Sequence, residues 1–133
     1  MNYRLYIIFI IILTVACKKE DPPVNEEKDH FSNGLLVLNE GLFQQNNASL
    51  SWIDLSSEAI TTQVFFKQNE RPLGDTGNDM AIYGGKLYIV VNASSTLEVL
   101  NARTLKSIKQ IPLQYNGQGQ QPRQIKFHNG KAY

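Results

Sequence analysis

The sequence predicts an all-β fold, and within that class a β-propeller present only as about two and a fraction four-stranded blades. Three observations predict it. Short apolar runs alternate with stretches rich in Asn, Gln, Ser, Thr and Gly, and after residue 17 no window repeats apolar residues at i, i+3, i+4, i+7 long enough for an ordinary helix. Met80-Ala-Ile-Tyr-Gly-Gly-Lys-Leu-Tyr88 returns 45 positions later as Ile125-Lys-Phe-His-Asn-Gly-Lys-Ala-Tyr133, a spacing typical of one propeller blade. That second copy closes on the last residue, where a new strand has only begun. The sequence therefore reads as the N-terminal piece of a longer protein.

Composition narrows the function classes. The 133 residues carry 13 Lys+Arg against 12 Asp+Glu, so there is no basic surplus for a phosphate backbone, and nucleic acid is not an expected partner. The one cysteine is Cys17, which excludes an intramolecular disulfide and a thiolate metal cluster.

Residues 1–16 read as a signal peptide. Met1 to Arg4 is a short basic region, Leu5 to Leu13 is apolar, and Thr14-Val15-Ala16 supplies small residues before a cleavage point. The run from Leu5 to Val15 has 11 residues, against roughly 20 for a membrane-crossing helix. With Cys17 next, the segment resembles a bacterial lipobox, although Thr14 stands where Leu is usual. The resemblance implies that Cys17 is lipidated and anchors the protein, since several acyl chains together hold firmly where one does not. Lys18-Lys19-Glu20-Asp21 resembles the Lys-acidic-acidic export signal of Bacteroidota-type surface lipoproteins. Lys19, Glu20 and Asp21 then imply display on the outer face of the outer membrane. The rest of residues 17–30, with Pro22-Pro23 and Glu26-Glu27-Lys28-Asp29, is too polar to pack and reads as a tether.

Residues 31–133 form the incomplete propeller, with blade 1 at about 31–72, blade 2 at about 73–121 and the start of blade 3 at about 122–133. Gly34 to Asn39 and Gly85 to Asn92 are equivalent β-rich runs, each closing on an Asn. Asn47 to Asp54 and Asn92 to Asn101 follow as the next strands, and Asp54 and Asn101 each cap a turn through their own side chains. Outer strands are expected at Ile60 to Phe66 and Leu105 to Leu113. Hairpins are expected at Tyr83-Gly84-Gly85-Lys86 and His128-Asn129-Gly130-Lys131, because Asn-Gly tolerates the positive φ of a tight turn. The first unit lacks a clear inner strand. Trp52, Phe65, Phe66 and Tyr88 read as strand residues of an inter-blade core.

Asn92-Ala-Ser94, the segment Leu97 to Leu105, and Pro122-Arg-Gln-Ile-Lys-Phe-His-Asn-Gly-Lys-Ala-Tyr133 resemble the YncE-like, YVTN-repeat β-propellers, specifically their lipid-anchored surface members. One group of such lipoproteins captures cobalamin and passes it to an outer-membrane transporter. The resemblance implies a ligand bound over the channel mouth, on loops that enter inner strands or join second strands to third. These loops are Asn39 to Asn47, Lys67 to Asp79, Asn92 to Thr96 and Gln114 to Gln124. Phe43 and Gln44 offer an aromatic among amides, suited to a planar ligand or a sugar. Asn78, Asp79, Arg123 and Gln124 stand at matching positions before inner strands, where they either face the channel or bridge neighbouring blades.

Other chemistry is weakly represented. Asp75-Thr-Gly-Asn-Asp79 has alternate oxygen ligands but lacks the remaining carboxylates of a calcium loop. His30 and His128 are 98 positions apart and suggest neither catalysis nor a metal. Asn47-Ala-Ser49 and Asn92-Ala-Ser94 match a glycosylation acceptor, for which a bacterial lipoprotein gives little reason. No nucleophile elbow, phosphate loop or paired-His motif is present, and no cofactor or metal is expected. The expected function is non-enzymatic: a surface lipoprotein that binds an extracellular small molecule such as cobalamin, or a glycan, for uptake. The alternatives are a lyase- or quinoprotein-type propeller enzyme and a structural or adhesive envelope protein.

Overall fold

Alternation of burial along each strand sets the first sheet. In the computed structural model, which describes residues 31–133, strand β1 (Gly34–Asn39) pairs antiparallel with β2 (Ser49–Asp54). The register places Leu36 opposite Trp52 and Leu38 opposite Leu50, so these four share the core-facing side, while Leu35 and Val37 lie on the exposed face. A short β3 (Ile60–Thr61) pairs with the other edge of β2. The opposite edge of β1 carries no strand among the described residues. Beside that edge lies an apolar cleft of about 390 Å³, lined in part by Phe31, Leu36, Trp52, Met80 and Ile82.

The chain then departs from the expected outer strand at Ile60 to Phe66. Gln63 takes a left-handed conformation (φ 55°), and Val64–Asn69 forms a short helix, α1. Val64 and Phe65 are consecutive and both buried. A strand sends successive side chains to opposite faces, whereas a helix can turn two neighbours toward one core. Phe66, the next residue, is 52% exposed and so is not core. Trp52 and Phe65 are buried, and Tyr88 is half-buried.

The second unit is a four-stranded antiparallel meander of β4 (Gly77–Tyr83), β5 (Lys86–Val91), β6 (Thr96–Asn101) and β7 (Ser107–Pro112). Strand β5 buries Leu87, Ile89, Val90 and Val91, as expected of a strand covered on both faces. Two small hairpins follow. Strand β8 (Gln114–Tyr115) pairs with β9 (Gln118–Gly119), and β10 (Phe127–His128) pairs with β11 (Lys131–Ala132). The Tyr83 ring stacks on Phe127 at 4.6 Å between centroids, and its hydroxyl accepts from the Gly130 amide at 3.1 Å. The last hairpin is thereby seated on the hairpin joining β4 to β5. The fold is all-β in class, with antiparallel sheets, none of which closes on itself.

The two larger units use the same turn. Asp54 Oδ1 accepts from the amides of Ser56 and Ser57, both at 2.9 Å, and Asn101 Oδ1 accepts from those of Arg103 and Thr104 at 2.9 and 3.2 Å. Four residues after each cap, Glu58 and Leu105 adopt φ of 58° and 56°. The Asp54 amide donates to Ala59 O and the Asn101 amide to Lys106 O, at 3.0 and 2.9 Å. Matching bonds at matching offsets make the units structural repeats of one another.

An ion pair between a buried carboxylate and a partly exposed guanidinium joins them. The Glu98 carboxylate on β6 is fully buried, and Arg71, just after α1, donates to its Oε1 at 2.8 Å. The Ser107 hydroxyl donates to the same oxygen at 2.5 Å, and Gln110 Nε2 donates to Oε2 at 3.1 Å. The Arg71 guanidinium also lies 4.9 Å above the centre of the Phe65 ring. Next to it, Asn69 donates to Leu105 O at 2.9 Å and accepts from the Ser107 amide at 2.7 Å. Around this polar seam, Leu50, Trp52, Phe65 and Leu73 pack with Leu87, Ile89, Val91, Leu100 and Leu105 in one continuous core.

Two predictions follow from these contacts. Arg71→Ala leaves a carboxylate buried without its counter-ion and should lower unfolding free energy by about 3 kcal/mol in urea titration; Glu98→Gln, which retains an acceptor for Ser107, should cost less. Backbone hydrogen bonds from Ser57 and then Ser56 hold the Asp54 carboxyl below its ordinary pKa. Its contribution is present above the unfolded-state pKa and disappears as pH falls through the lower folded-state value. Asp54→Asn, which reproduces the Asn101 cap, should flatten that acid limb of the stability profile while leaving stability at neutral pH nearly unchanged.

Candidate functional site

Four polar stretches meet at one end of the two units: residues 40–47 after β1, 73–76 before β4, 92–95 between β5 and β6, and 113–122 around the β8–β9 hairpin. Backbone bonds lace them together. The Gly77 amide donates to Glu40 O and that of Ala48 to Gly74 O, both at 3.0 Å; the Asn92 amide reaches Thr76 O at 2.7 Å, and the Leu113 amide reaches Ser95 O at 2.8 Å. Side chains continue the lacing. Ser94 Oγ accepts from the Asp75 amide at 2.8 Å, and Asn92 Nδ2 donates to Gln121 O and Pro122 O at 2.8 and 2.9 Å. Gly74 (φ 137°) permits the close approach, because a Cβ there would stand 2.8 Å from Ser94 Oγ and from a Val91 methyl.

Phe43 and Gln44 lie on the first of these loops. A turn from Leu42 O to the Gln45 amide and a bond from the Leu42 amide to Asn47 Oδ1 shape it, and Gln44 itself has φ 63°. Gly41 (φ 81°) sits where a Cβ would fall 2.5 Å from Asn47 Oδ1. Leu42 and Phe43 are left 68% and 63% exposed. Phe43 is therefore presented to solvent instead of being packed on its own sheet.

Asn78 and Asp79 fall on β4 itself. Asn78 is exposed, while both Asp79 oxygens are engaged: Oδ1 accepts from the Met80 amide and Oδ2 from the Ile125 amide, each at 2.9 Å. Asp79 thus bridges β4 to the chain leading into β10, and of the two roles open to it the geometry displays the bridging one. Arg123 and Gln124 are exposed immediately before that bridge. The fold brings these four residues to one neighbourhood, and the Gly77 to Glu40 bond sets the Phe43 loop next to it. Asp75 Oδ1 accepts from the Thr76 hydroxyl at 2.8 Å. Among the described residues, no group of three His, Cys, Asp or Glu side chains is placed to hold a metal ion. Cys17, Lys19, Glu20, Asp21 and His30 lie outside the described residues.

A second concavity, about 290 Å³, opens beside the same loop, with Asn46, Asn47, Gln63, Phe65, Phe66 and Pro72 in its lining. The sequence pattern hides Gln63 and Phe66, which it assigns to the expected outer strand. The one available signal is the Phe65-Phe66 pair: at the edge of a unit with a single core face, one of two adjacent aromatics is left over for the surface.

The sequence model of a family described as a domain of unknown function (DUF5074) matches residues 33–129. The match spans both repeat units and the laced loops. No curated protein matches the chain.

Asp79→Ala should uncouple the last hairpin from β4. Amides of Lys126 and Tyr133, which bond across that hairpin, should exchange with deuterium about tenfold faster or more, given the strength of a bond to a charged acceptor. Those of β5 and β6 should keep their protection.

Proposed function

The chain belongs to the family described as a domain of unknown function (DUF5074), and we propose that this member is a lipid-anchored outer-membrane protein, facing the cell exterior, whose β-propeller binds an extracellular ligand for uptake. The two repeat units are its first blades and the β10–β11 hairpin begins the third. Shared turns at Asp54 and Asn101, the β4–β7 meander and the stacking of Tyr83 on Phe127 support this reading. Lipidation of Cys17 and the Lys19-Glu20-Asp21 signal supply the address, and an outer-membrane transporter is the partner that would receive the ligand.

The observation that carries the binding function is the laced loop end with its two exposed apolar side chains. Leu42 and Phe43 cost free energy when left in water, yet a glycine-dependent loop holds them there among Gln44, Gln45, Asn46 and Asn47. An aromatic platform surrounded by amides suits a ligand with a flat apolar face and hydrogen-bonding edges, such as cobalamin or a glycan. Binding, with no chemical step, is the reading these side chains support.

The anchor and the site are tested together. Cys17→Ala should abolish incorporation of labelled palmitate and release the protein from the membrane fraction; continued labelling would remove the anchor from the proposal. Titration of the purified full chain with cyanocobalamin and with neutral oligosaccharides should show saturable binding that Phe43→Ala weakens about tenfold, the scale of one lost stacking contact.

A further inference from the structure

The concavity beside α1 differs in chemistry from the loop end. No charged side chain lines it: the walls are Asn46, Asn47, Ala48, Ser49, Gln63, Phe65, Phe66, Pro72 and Leu73. The side chains of Asn46 and Gln63 make no hydrogen bond among the described residues, and Asn47 commits only its Oδ1, to the Leu42 amide. Asn46 and Gln63 both occupy left-handed conformations, with φ of 50° and 55°. For Gln63 in particular this is a strained backbone, of the kind that recurs at ligand clamps. Phe66 stands at the edge with half its surface in solvent.

We infer that this cleft is a subsite for one neutral saccharide unit, resting on Phe66 and hydrogen-bonded by the carboxamides of Asn46 and Gln63 and by Nδ2 of Asn47. The first two offer both donors and an acceptor, which matches hydroxyls that also do both. The absence of lining charge disfavours phosphate, carboxylate and sulfate groups, which need a counter-charge when desolvated. At about 290 Å³ the cleft falls at the small end of ligand pockets, too small to enclose a corrinoid macrocycle and suited to a single sugar ring. This inference rests on the binding function proposed above and assigns it a ligand class and a second contact point.

The test is saturation-transfer NMR and calorimetric titration of the full chain with N-acetylglucosamine, mannose, galactose and lactose. At least one should bind saturably. Phe66→Ala and Asn46→Ala should each weaken that binding about tenfold or more, while Phe66→Trp, which preserves a stacking face, should retain it. Phe66 and Asn46 are exposed, and unchanged thermal melts would verify that the variants fold. If none of the four sugars binds, or if binding is indifferent to Phe66→Ala in a folded variant, the saccharide cleft is overturned. Cyanocobalamin binding that depends on Phe43, with none of the four sugars bound, would overturn the cleft while leaving the parent proposal standing.

Discussion

The fully buried carboxylate of Glu98 is the constraint on which the arrangement of the two units depends. A carboxylate removed from water must be met by charge and hydrogen bonds, and β6 and β7 furnish only Ser107 and Gln110. The counter-charge comes from Arg71, at the end of the first unit's sequence. For the guanidinium to arrive, the chain after β3 has to leave the sheet, and α1, packed on β2, is the segment that does so, its last residue Asn69 reaching the second unit. Its Phe65 enters the core beneath the guanidinium, and its Asn69 takes up the backbone of Leu105 and Ser107. Ionic pairing, aromatic burial and backbone satisfaction therefore converge on a six-residue helix in place of an outer strand.

The same seam explains why the loop end is well defined. With Asn69 at the end of α1 tied to Leu105 and Ser107, and Arg71 tied to Glu98, residues 73–76 are led across the mouth between the units, where Gly74 and Thr76 accept from Ala48 and Asn92. Residues 73–76 bond to the ends of two of the other loops and the Ser95 carbonyl to a third, while the Phe43 loop is also braced by its own Leu42–Gln45 and Leu42–Asn47 bonds. A ligand landing on such a surface would meet groups that are already ordered, which limits the conformational entropy lost on binding.

Much of this fold is legible in the sequence because much of it is local. The Gly84-Gly85 and Asn129-Gly130 turns, the Asp54 and Asn101 caps, the apolar run of β1 and the alternation at the start of β2 each involve residues a few positions apart. The 45-residue echo adds the repeat. The helix is not legible in this way: Val64-Phe65-Phe66 is a β-favouring run by composition, and its conformation is decided by partners 27 and 36 positions away, Glu98 and Leu105. The candidate site divides along the same line. Exposure of Phe43 follows from a glycine and amides in its own loop, so sequence alone points to it. Asp79 is ambiguous from sequence because its bonding partner, Ile125, lies 46 positions on, and the place of Phe66 beside Gln63 and Asn46 is set only once α1 exists.

The helix thus has two faces with opposed demands. Phe65 turns inward and completes the core between the units, while Phe66 lies outward, beside Gln63 and the loop bearing Asn46. The cleft is on this account a by-product of meeting the Glu98 charge: the device that joins the first repeat to the second also leaves an aromatic and unengaged amides around a small uncharged hollow. Function built on such a hollow costs the fold little, because the residues that hold the units together, Asn69 and Arg71, are not those that would touch a ligand.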